Sequence, residues 1–355
     1  MYRKGILLVL AWLLYTVAIA QERPKIGLVL SGGGAKGMAH IGVLQEMEKA
    51  GLYPDYITGT SMGSIVGGLY AIGYSADEID SIARSMDWPQ LLTNKIPLNQ
   101  VAFEEKPFYG RYISEFPFRN KKLNLPKGMI EGQALTLQMS NMTRPAHQIE
   151  DFNDFPIPFA CIGANIETGR ANVLNSGLLP EALRASMAIP TFFTPMEIND
   201  NLYVDGGLIR NFPVQEVIDM GADIVIGVFV SSGLENKENL NSMVSVLSQA
   251  AFIMSAHDQE EQMQLADVLV VPNLDGYSTG SFGSTDAIIA RGKEAGEMFY
   301  PVFKKLADSL SAIAPLHRVE KLHMPDTYTF NNIIIEGEEL VPEELIMGKL
   351  RLEPG

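Results

Sequence analysis

Tyr56-Ile57-Thr58 runs without a break into Gly59-Thr60-Ser61-Met62-Gly63, and a helical pattern rich in small residues, Gly63, Ser64, Gly67 and Gly68, follows to about Ile72. A short strand that bends sharply into a helix leaves few folds available. The residue at the bend takes a strained backbone, its flanking glycines let neighbouring backbone come close, and its side chain stands at the end of a sheet, facing the positive end of the helix. The pattern is the Gly-x-Ser-x-Gly elbow. Ser61 is the candidate nucleophile, with Gly59 and Gly63 as the elbow glycines.

The same order of strand, glycines and helix occurs just upstream. Ile26-Gly27-Leu28-Val29-Leu30 predicts a strand, Gly32 to Gly37 a loop, and Met38, Ile41, Leu44 and Met47 recur at spacing three before Gly51. Ser75 and Glu78 have the spacing of a capping box for a further helix. Strands are predicted over Phe159 to Asn165 and Ala171 to Leu174, joined by a turn at Thr168-Gly169, and again at Leu202-Tyr203-Val204, Ile224 to Val230 and Val268 to Val271. Residues 242 to 257 and 285 to 308 have helical periodicity, and no internal repeat is visible. The alternation predicts an α/β fold with a mainly parallel central sheet flanked by helices. At 46% hydrophobic and 19% charged residues the chain is neither disordered nor collagenous. Its 355 residues correspond to two to three domains at about 150 residues each.

Charge and cysteine content exclude other classes. A formal charge of -15 repels nucleic acid and gives no general attraction to anionic lipid. The single cysteine, Cys161, cannot form an intramolecular disulfide, and no Cys/His cluster has zinc spacing.

Gly32-Gly33-Gly34-Ala35-Lys36-Gly37 formally satisfies the dinucleotide fingerprint, and Asp55 lies near the position of a ribose-binding acid. The elbow serine follows directly, however, and such a site has no use for it. A phosphate loop fits worse, because Gly37 rather than Ser or Thr follows Lys36. An oxyanion hole is the better physical account: backbone N–H groups from Gly32 to Gly37 can turn toward a developing alkoxide, and the next helix adds its positive end. Lys36 either supports that field or is a solvated loop lysine. A serine nucleophile needs a base, yet none of the five histidines, His40, His147, His257, His317 and His323, makes a convincing triad. Asp205 follows a strand and is backed by Gly206 and Gly207, which free space beside its carboxylate; an ordinary Asp-Gly turn is the other reading of these residues.

Taken in order, Gly32 to Gly37, Gly59 to Gly63 and Asp205-Gly206-Gly207 resemble the three blocks of the patatin-like phospholipase family. Ala39-His40-Ile41-Gly42-Val43-Leu44 and Ala185-Ser186-Met187-Ala188-Ile189-Pro190 resemble it too. The likeness runs from about Lys25 to Val214, with a weaker extension to about 310. It implies a three-layer patatin-like fold and a Ser-Asp dyad, Ser61 as nucleophile and Asp205 as general base, acting on acyl esters of phospholipids or related lipids without metal or cofactor. Lys36 departs from the arginine of many members, keeping the charge and losing the planar fork. An acyltransferase or general carboxylesterase on the same dyad is the alternative enzyme. A catalytically silent lipid-binding or adhesive module is the alternative of another class.

Three segments lie around this core. Residues 1 to 20 read as an export signal, with Arg3 and Lys4, an apolar run from Ile6 to about Ala18, and a small-x-small end at Ala18-Ile19-Ala20. Cleavage before Gln21 would remove two basic residues and take the charge from -15 to -17, for a protein of the periplasm, outer membrane or exterior. The catalytic domain is expected over 21 to 315. Within it, residues 88 to 158 are irregular, and the aromatic and basic stretch from Phe103 to Lys122 is the candidate for contact with a membrane surface. Beyond 315, a strand over Thr329 to Gly337 and a helix over Pro342 to Lys349 resemble the start of a POTRA module, as in a patatin-type autotransporter.

Overall fold

In the computed structural model the described residues are 22–93, 130–190, 192–231, 237–239, 243–324 and 342–350, with a few isolated positions between 101 and 128 and at 333 and 335. The export signal, most of the strand expected near 329–337 and most of the stretch from 103 to 122 lie outside them. The chain divides into two units, Met1–Leu322 and His323–Gly355.

The first unit is built on β1 (Ile26–Leu30), an apolar run buried along its whole length at the centre of the sheet. A 3-10 turn over Gly34–Met38 leads into α1 (Ala39–Lys49), and β2 (Tyr56–Thr60) into α2 (Met62–Ala71). The sequence from Ser75 then forms α3 (Ala76–Ser85), with the expected capping box: Ser75 Oγ accepts from Glu78 N–H, and the Glu78 carboxylate from Ser75 N–H. A short α4 (Trp88–Leu91) and a two-stranded antiparallel ladder, β3 (Phe118–Arg119) with β4 (Lys122–Leu123), precede α5 (Gln133–Thr143). The second half supplies β5 (Phe159–Asn165), β6 (Arg170–Leu174), α6 (Leu179–Ser186), β7 (Met196–Ile198), β8 (Asn201–Asp205), α7 (Val214–Asp219), β9 (Ile224–Val228), α8 (Met243–Gln264), β10 (Val268–Val270) and α9 (Thr285–Ser311).

The sheet runs β10-β9-β1-β2-β5-β8-β7, with β6 also on β5. β10, β9, β1, β2 and β5 are parallel, and β6, β7 and β8 join antiparallel, so the sheet is mainly parallel as expected. Strand β9 stops at Val228, two residues short of the predicted run. Val230 leaves the ladder because its N–H donates to Ser31 Oγ at 2.9 Å.

The pairing around β5 positions the site. β6 occupies one edge over Cys161 to Asn165. On the opposite edge two strands approach from opposite directions: β2 ends with Thr60 against Ile162, and β8 ends with Asp205 against Gly163. The residue that follows Thr60 is Ser61, so two distant segments meet end to end on one strand.

Residues 316–322 belong with this unit rather than with the C-terminal segment expected from 316 onward. Leu322 N–H donates to Ile72 O (3.0 Å), and Lys321 Nζ reaches Glu78 (2.9 Å) and lies 3.8 Å from the Tyr74 ring centroid. In the second unit the described helix α10 (Glu343–Leu350) falls where a helix was expected.

Candidate active site

At the end of β2 the chain turns through Ser61, whose φ of 52° and ψ of -124° place it in a region costly for any residue with a side chain, by roughly 1–3 kcal/mol. Close packing around the bend holds this geometry. A methyl group on Gly63 would land on the Leu30 carbonyl, and one on Gly59 would lie 2.6 Å from Gly63 O, so α2 can approach the sheet only with glycine at both places. Ser61 N–H donates to the hydroxyl of Ser186 (3.0 Å), and Ser61 O accepts from Ser64 N–H (2.9 Å), beginning α2. The Met62 and Gly63 N–H groups of that first turn have no acceptor among the described residues.

Ser61 Oγ donates to Asp205 Oδ2 at 2.8 Å, across 144 residues of sequence. The serine is 5% exposed and the aspartate 1%. Asp205 Oδ1 accepts from Gly207 N–H at 2.7 Å, so the Asp-Gly-Gly segment does turn here and fixes the carboxylate as it does so. Burial raises the Asp205 carboxyl from 3.8 to about 6, against the hydrogen bonds from Ser61 and Gly207, which favour the ion.

The end of α6 and the residues just after it brace both groups. Ser186 accepts the Ser61 N–H, and Ala188 O accepts Asp205 N–H (2.9 Å). Arg184, on the same helix, is buried and donates through Nη2 to Glu131 O (3.1 Å) and Thr194 O (3.3 Å), anchoring α6. Asn211 was given no role by the sequence. Its backbone carbonyl accepts Gly32 N–H (3.2 Å), and its side chain lies so close to Gly32 and Gly207 that a methyl on either would crowd Oδ1, at 2.5 and 2.8 Å. Asn211 thus joins the glycine loop to the Asp205 turn.

The six loop residues read as oxyanion donors separate in the structure. Gly32 N–H is taken by Asn211, Ala35 N–H by Thr279 O (2.8 Å) and Lys36 N–H by Gly33 O (3.2 Å), and Gly37 lies inside the 3-10 turn. Gly33 and Gly34 N–H have no acceptor among the described residues. Lys36 is 2% exposed, which overturns its reading as a solvated loop lysine.

The competing assignments fail on geometry. Asp55 is held by the Arg23 fork at 2.7 Å on both oxygens and by Ile26 N–H at 2.8 Å, at the opposite end of β2 from Ser61. His40 is fully buried and donates through Nε2 to Ser31 O at 2.8 Å; burial lowers its pKa to about 4 and keeps it neutral. Exposed His257 faces Glu261, and among the described residues no histidine bonds to Ser61 or Asp205. The buried Cys161 thiol is pushed up by desolvation and is no nucleophile at neutral pH.

Among known proteins, the family described as patatin-like phospholipase matches residues 28–218 of the chain. A lysophospholipase nte1 of Aspergillus fumigatus is 29% identical over 327 residues, 85% of this chain and 20% of the relative, and a lysophospholipase NTE1 of Mycosarcoma maydis is 33% identical over 208 residues, 59% and 10%. The chain therefore spans about a fifth or less of the length of these curated relatives. The crystal structure of VipD from Legionella pneumophila aligns at 14% identity with a TM-score of 0.44, over 79% of this chain and 67% of that one.

Proposed function

The chain belongs to the patatin-like phospholipase family, and on that premise we propose that it is a lipid acyl hydrolase that cleaves carboxylic esters of phospholipids or lysophospholipids through Ser61 and Asp205. The observation that carries the proposal is the 2.8 Å hydrogen bond from Ser61 Oγ, at a strained elbow, to the buried Asp205 carboxylate, which no histidine among the described residues contacts. The lysophospholipase names of the curated relatives support a lipid ester as substrate. Residues 1 to 20 support action outside the cytoplasm.

In the acylation step Asp205 accepts the hydroxyl proton, Ser61 Oγ bonds to the carbonyl carbon, and the carbonyl electron pair moves onto oxygen. The Gly33 and Gly34 N–H groups and the first turn of α2 are the donors available for that oxyanion. Collapse breaks the bond to the alcohol, which leaves with the proton from Asp205. Water then attacks the acyl-serine and gives its proton to Asp205; collapse breaks the bond to Ser61 Oγ, which takes that proton back from Asp205 as the fatty acid departs. An ordinary aspartate is a poor base for this work. The rise from 3.8 to about 6 makes the carboxylate roughly a hundredfold more basic, yet leaves it ionised at neutral pH.

Incubation with phosphatidylcholine and lysophosphatidylcholine, followed by mass spectrometry, is expected to show free fatty acid. Release from neither substrate would sink the proposal. On a soluble short-chain ester, kcat/KM should fall about tenfold per pH unit below about 6, because only the carboxylate can take the proton, and should level off above it.

Ser186 is a positioning residue in this scheme. Ser186→Ala leaves the Ser61 N–H buried without its acceptor, at a cost of about 1–3 kcal/mol. We expect kcat to fall about tenfold or more with KM for the soluble ester little changed. Ser186→Thr, which keeps the hydroxyl, should recover part of the loss. Equal loss in both variants would argue for packing rather than the hydrogen bond.

A further inference from the structure

A carboxylate offers about four lone-pair sites to donors. Among the described residues two donors reach Asp205: Ser61 Oγ on Oδ2 and Gly207 N–H on Oδ1. In an open site water would take the remaining places, yet the residue is 1% exposed. What covers the carboxylate therefore decides how basic it is. Helix α8 packs along the Gly206–Leu208 turn that follows Asp205, and Phe252 reaches that turn. A Cβ on Gly207 would lie 2.9 Å from Asp205 Oδ1 and 3.1 Å from Phe252 Cε1, so the ring edge and the carboxylate meet beside a glycine with no side chain between them. Phe252 is itself half-buried, with the Asp205 turn on one side and solvent on another. The helix is pinned at this point. Gln259 Nε2 donates to Ser255 Oγ (3.1 Å), Ser255 Oγ donates to Phe252 O (3.0 Å), and Arg210 bonds Asp258 (3.0 Å).

We infer that Phe252 is a positioning residue for the reaction: its ring shuts water out from the Asp205 carboxylate, so that the base meets Ser61 Oγ stripped of hydration. The inference rests on the acyl-hydrolase reading, in which Asp205 takes the hydroxyl proton. Burial is the largest influence on this carboxyl and raises it against the two hydrogen bonds that favour the ion. The partial positive charge at a ring edge replaces little of the hydration that the ring displaces. Nearby charge offers no other source. Strands β5 and β8 and helix α2 carry no charged residue besides Asp205 itself. Arg210, after the turn, pairs with Glu216 of α7 at 2.6 Å and with Asp258 of α8 at 3.0 Å. On α8, His257 and Glu261 are exposed and face each other, and Glu260 is exposed. Arg184 of α6 is turned to the carbonyls of Glu131 and Thr194, and Lys36 lies buried in its 3-10 turn. No ion pair to Asp205 occurs among the described residues.

The test follows kcat/KM for a soluble short-chain ester against pH. In Phe252→Ala water reaches the carboxylate, so the acid limb, at about 6 in the wild-type chain, is expected to move down by about one pH unit. The plateau should fall about threefold, because the base is weaker. Phe252→Leu, which keeps an apolar cover, should recover most of the shift. Ile253→Ala, next along the helix and 53% exposed, should leave the limb in place. A limb that stays at about 6 or moves up in Phe252→Ala overturns the proposal, whether activity is kept or lost. Loss of activity with an unmoved limb is what packing alone would give. If Phe252→Ala does not fold, Phe252→Gln, which admits a polar group at the same place, carries the test with the same downward shift expected. If the wild-type chain hydrolyses no ester, the function reading fails, but the cover is still judged by NMR titration of the carboxyl in isotope-labelled chain, assigned by its loss in Asp205→Asn. A lower titration point in Phe252→Ala supports it, and an equal one overturns it.

Discussion

Ser61→Ala is expected to lower kcat/KM for an acyl ester by at least about four orders of magnitude, with the fold retained. The loss is large because, among the described residues, no side chain bonded at the site can replace the hydroxyl. Cys161 is buried with its thiol pushed up, and the hydroxyl of Ser186 is occupied in accepting the Ser61 N–H. Alanine fits the space and bears the same backbone strain as serine at a φ of 52°. The cost to stability comes from Asp205, which loses the hydroxyl donor to Oδ2, a term of about 1–3 kcal/mol. Steady-state kinetics on a soluble ester and labelling by a serine-reactive fluorophosphonate measure the two sides of the claim. The variant should take no label. Activity within tenfold of wild type in a folded variant would move the nucleophile elsewhere.

The two members of this dyad were legible to different degrees, for a physical reason. The elbow is local: strand, bend and helix lie within one stretch of chain, and the glycines that permit it stand beside the serine. The capping box of α3 was readable on the same ground, since Ser75 and Glu78 are three residues apart. Asp205 could be singled out by the strand before it and the glycines after it, but its meeting with Ser61 is a property of strand pairing. It depends on β2 and β8 ending on adjacent residues of β5, and β5 carries no mark of that in its sequence. Ser186 was visible inside a family-like block without a task, because a buried hydroxyl accepting a distant amide has no local pattern. Asn211 left no signal at all. The loop from Gly32 to Gly37 shows the converse limit. Its glycines announce free N–H groups, yet tertiary carbonyls from Asn211 and Thr279 take those of Gly32 and Ala35 and leave Gly33 and Gly34. Of the two readings that the sequence left open for Lys36, the solvated lysine fails because the residue is buried within the 3-10 turn, where lysine is rarely found.

Asp205→Asn should be nearly inactive and more stable than the wild-type chain. Asparagine can keep both contacts of the carboxylate: its oxygen accepts the Gly207 N–H, and its amide donates to Ser61 Oγ, which turns from donor to acceptor. The geometry survives, but the hydroxyl proton no longer points at a base. A loss of about three orders of magnitude in kcat is expected. Stability moves the other way. The Asp205 carboxyl is raised from 3.8 to about 6 in the folded chain, so between these values the native state holds a proton that the unfolded state has released. Wild-type stability therefore falls as pH rises through that window. Below about 4 both states are protonated and the ion costs nothing; above about 6 the native state carries it desolvated, at about 3 kcal/mol. Asparagine has no ion to bury, so its advantage should grow from near zero at the acid end to about that value near neutral pH. Urea denaturation of both chains on either side of the window measures the difference directly. A gap that does not change with pH would mean that Asp205 is not held as a buried, raised carboxyl. The basicity that lets it serve Ser61 would then need another source.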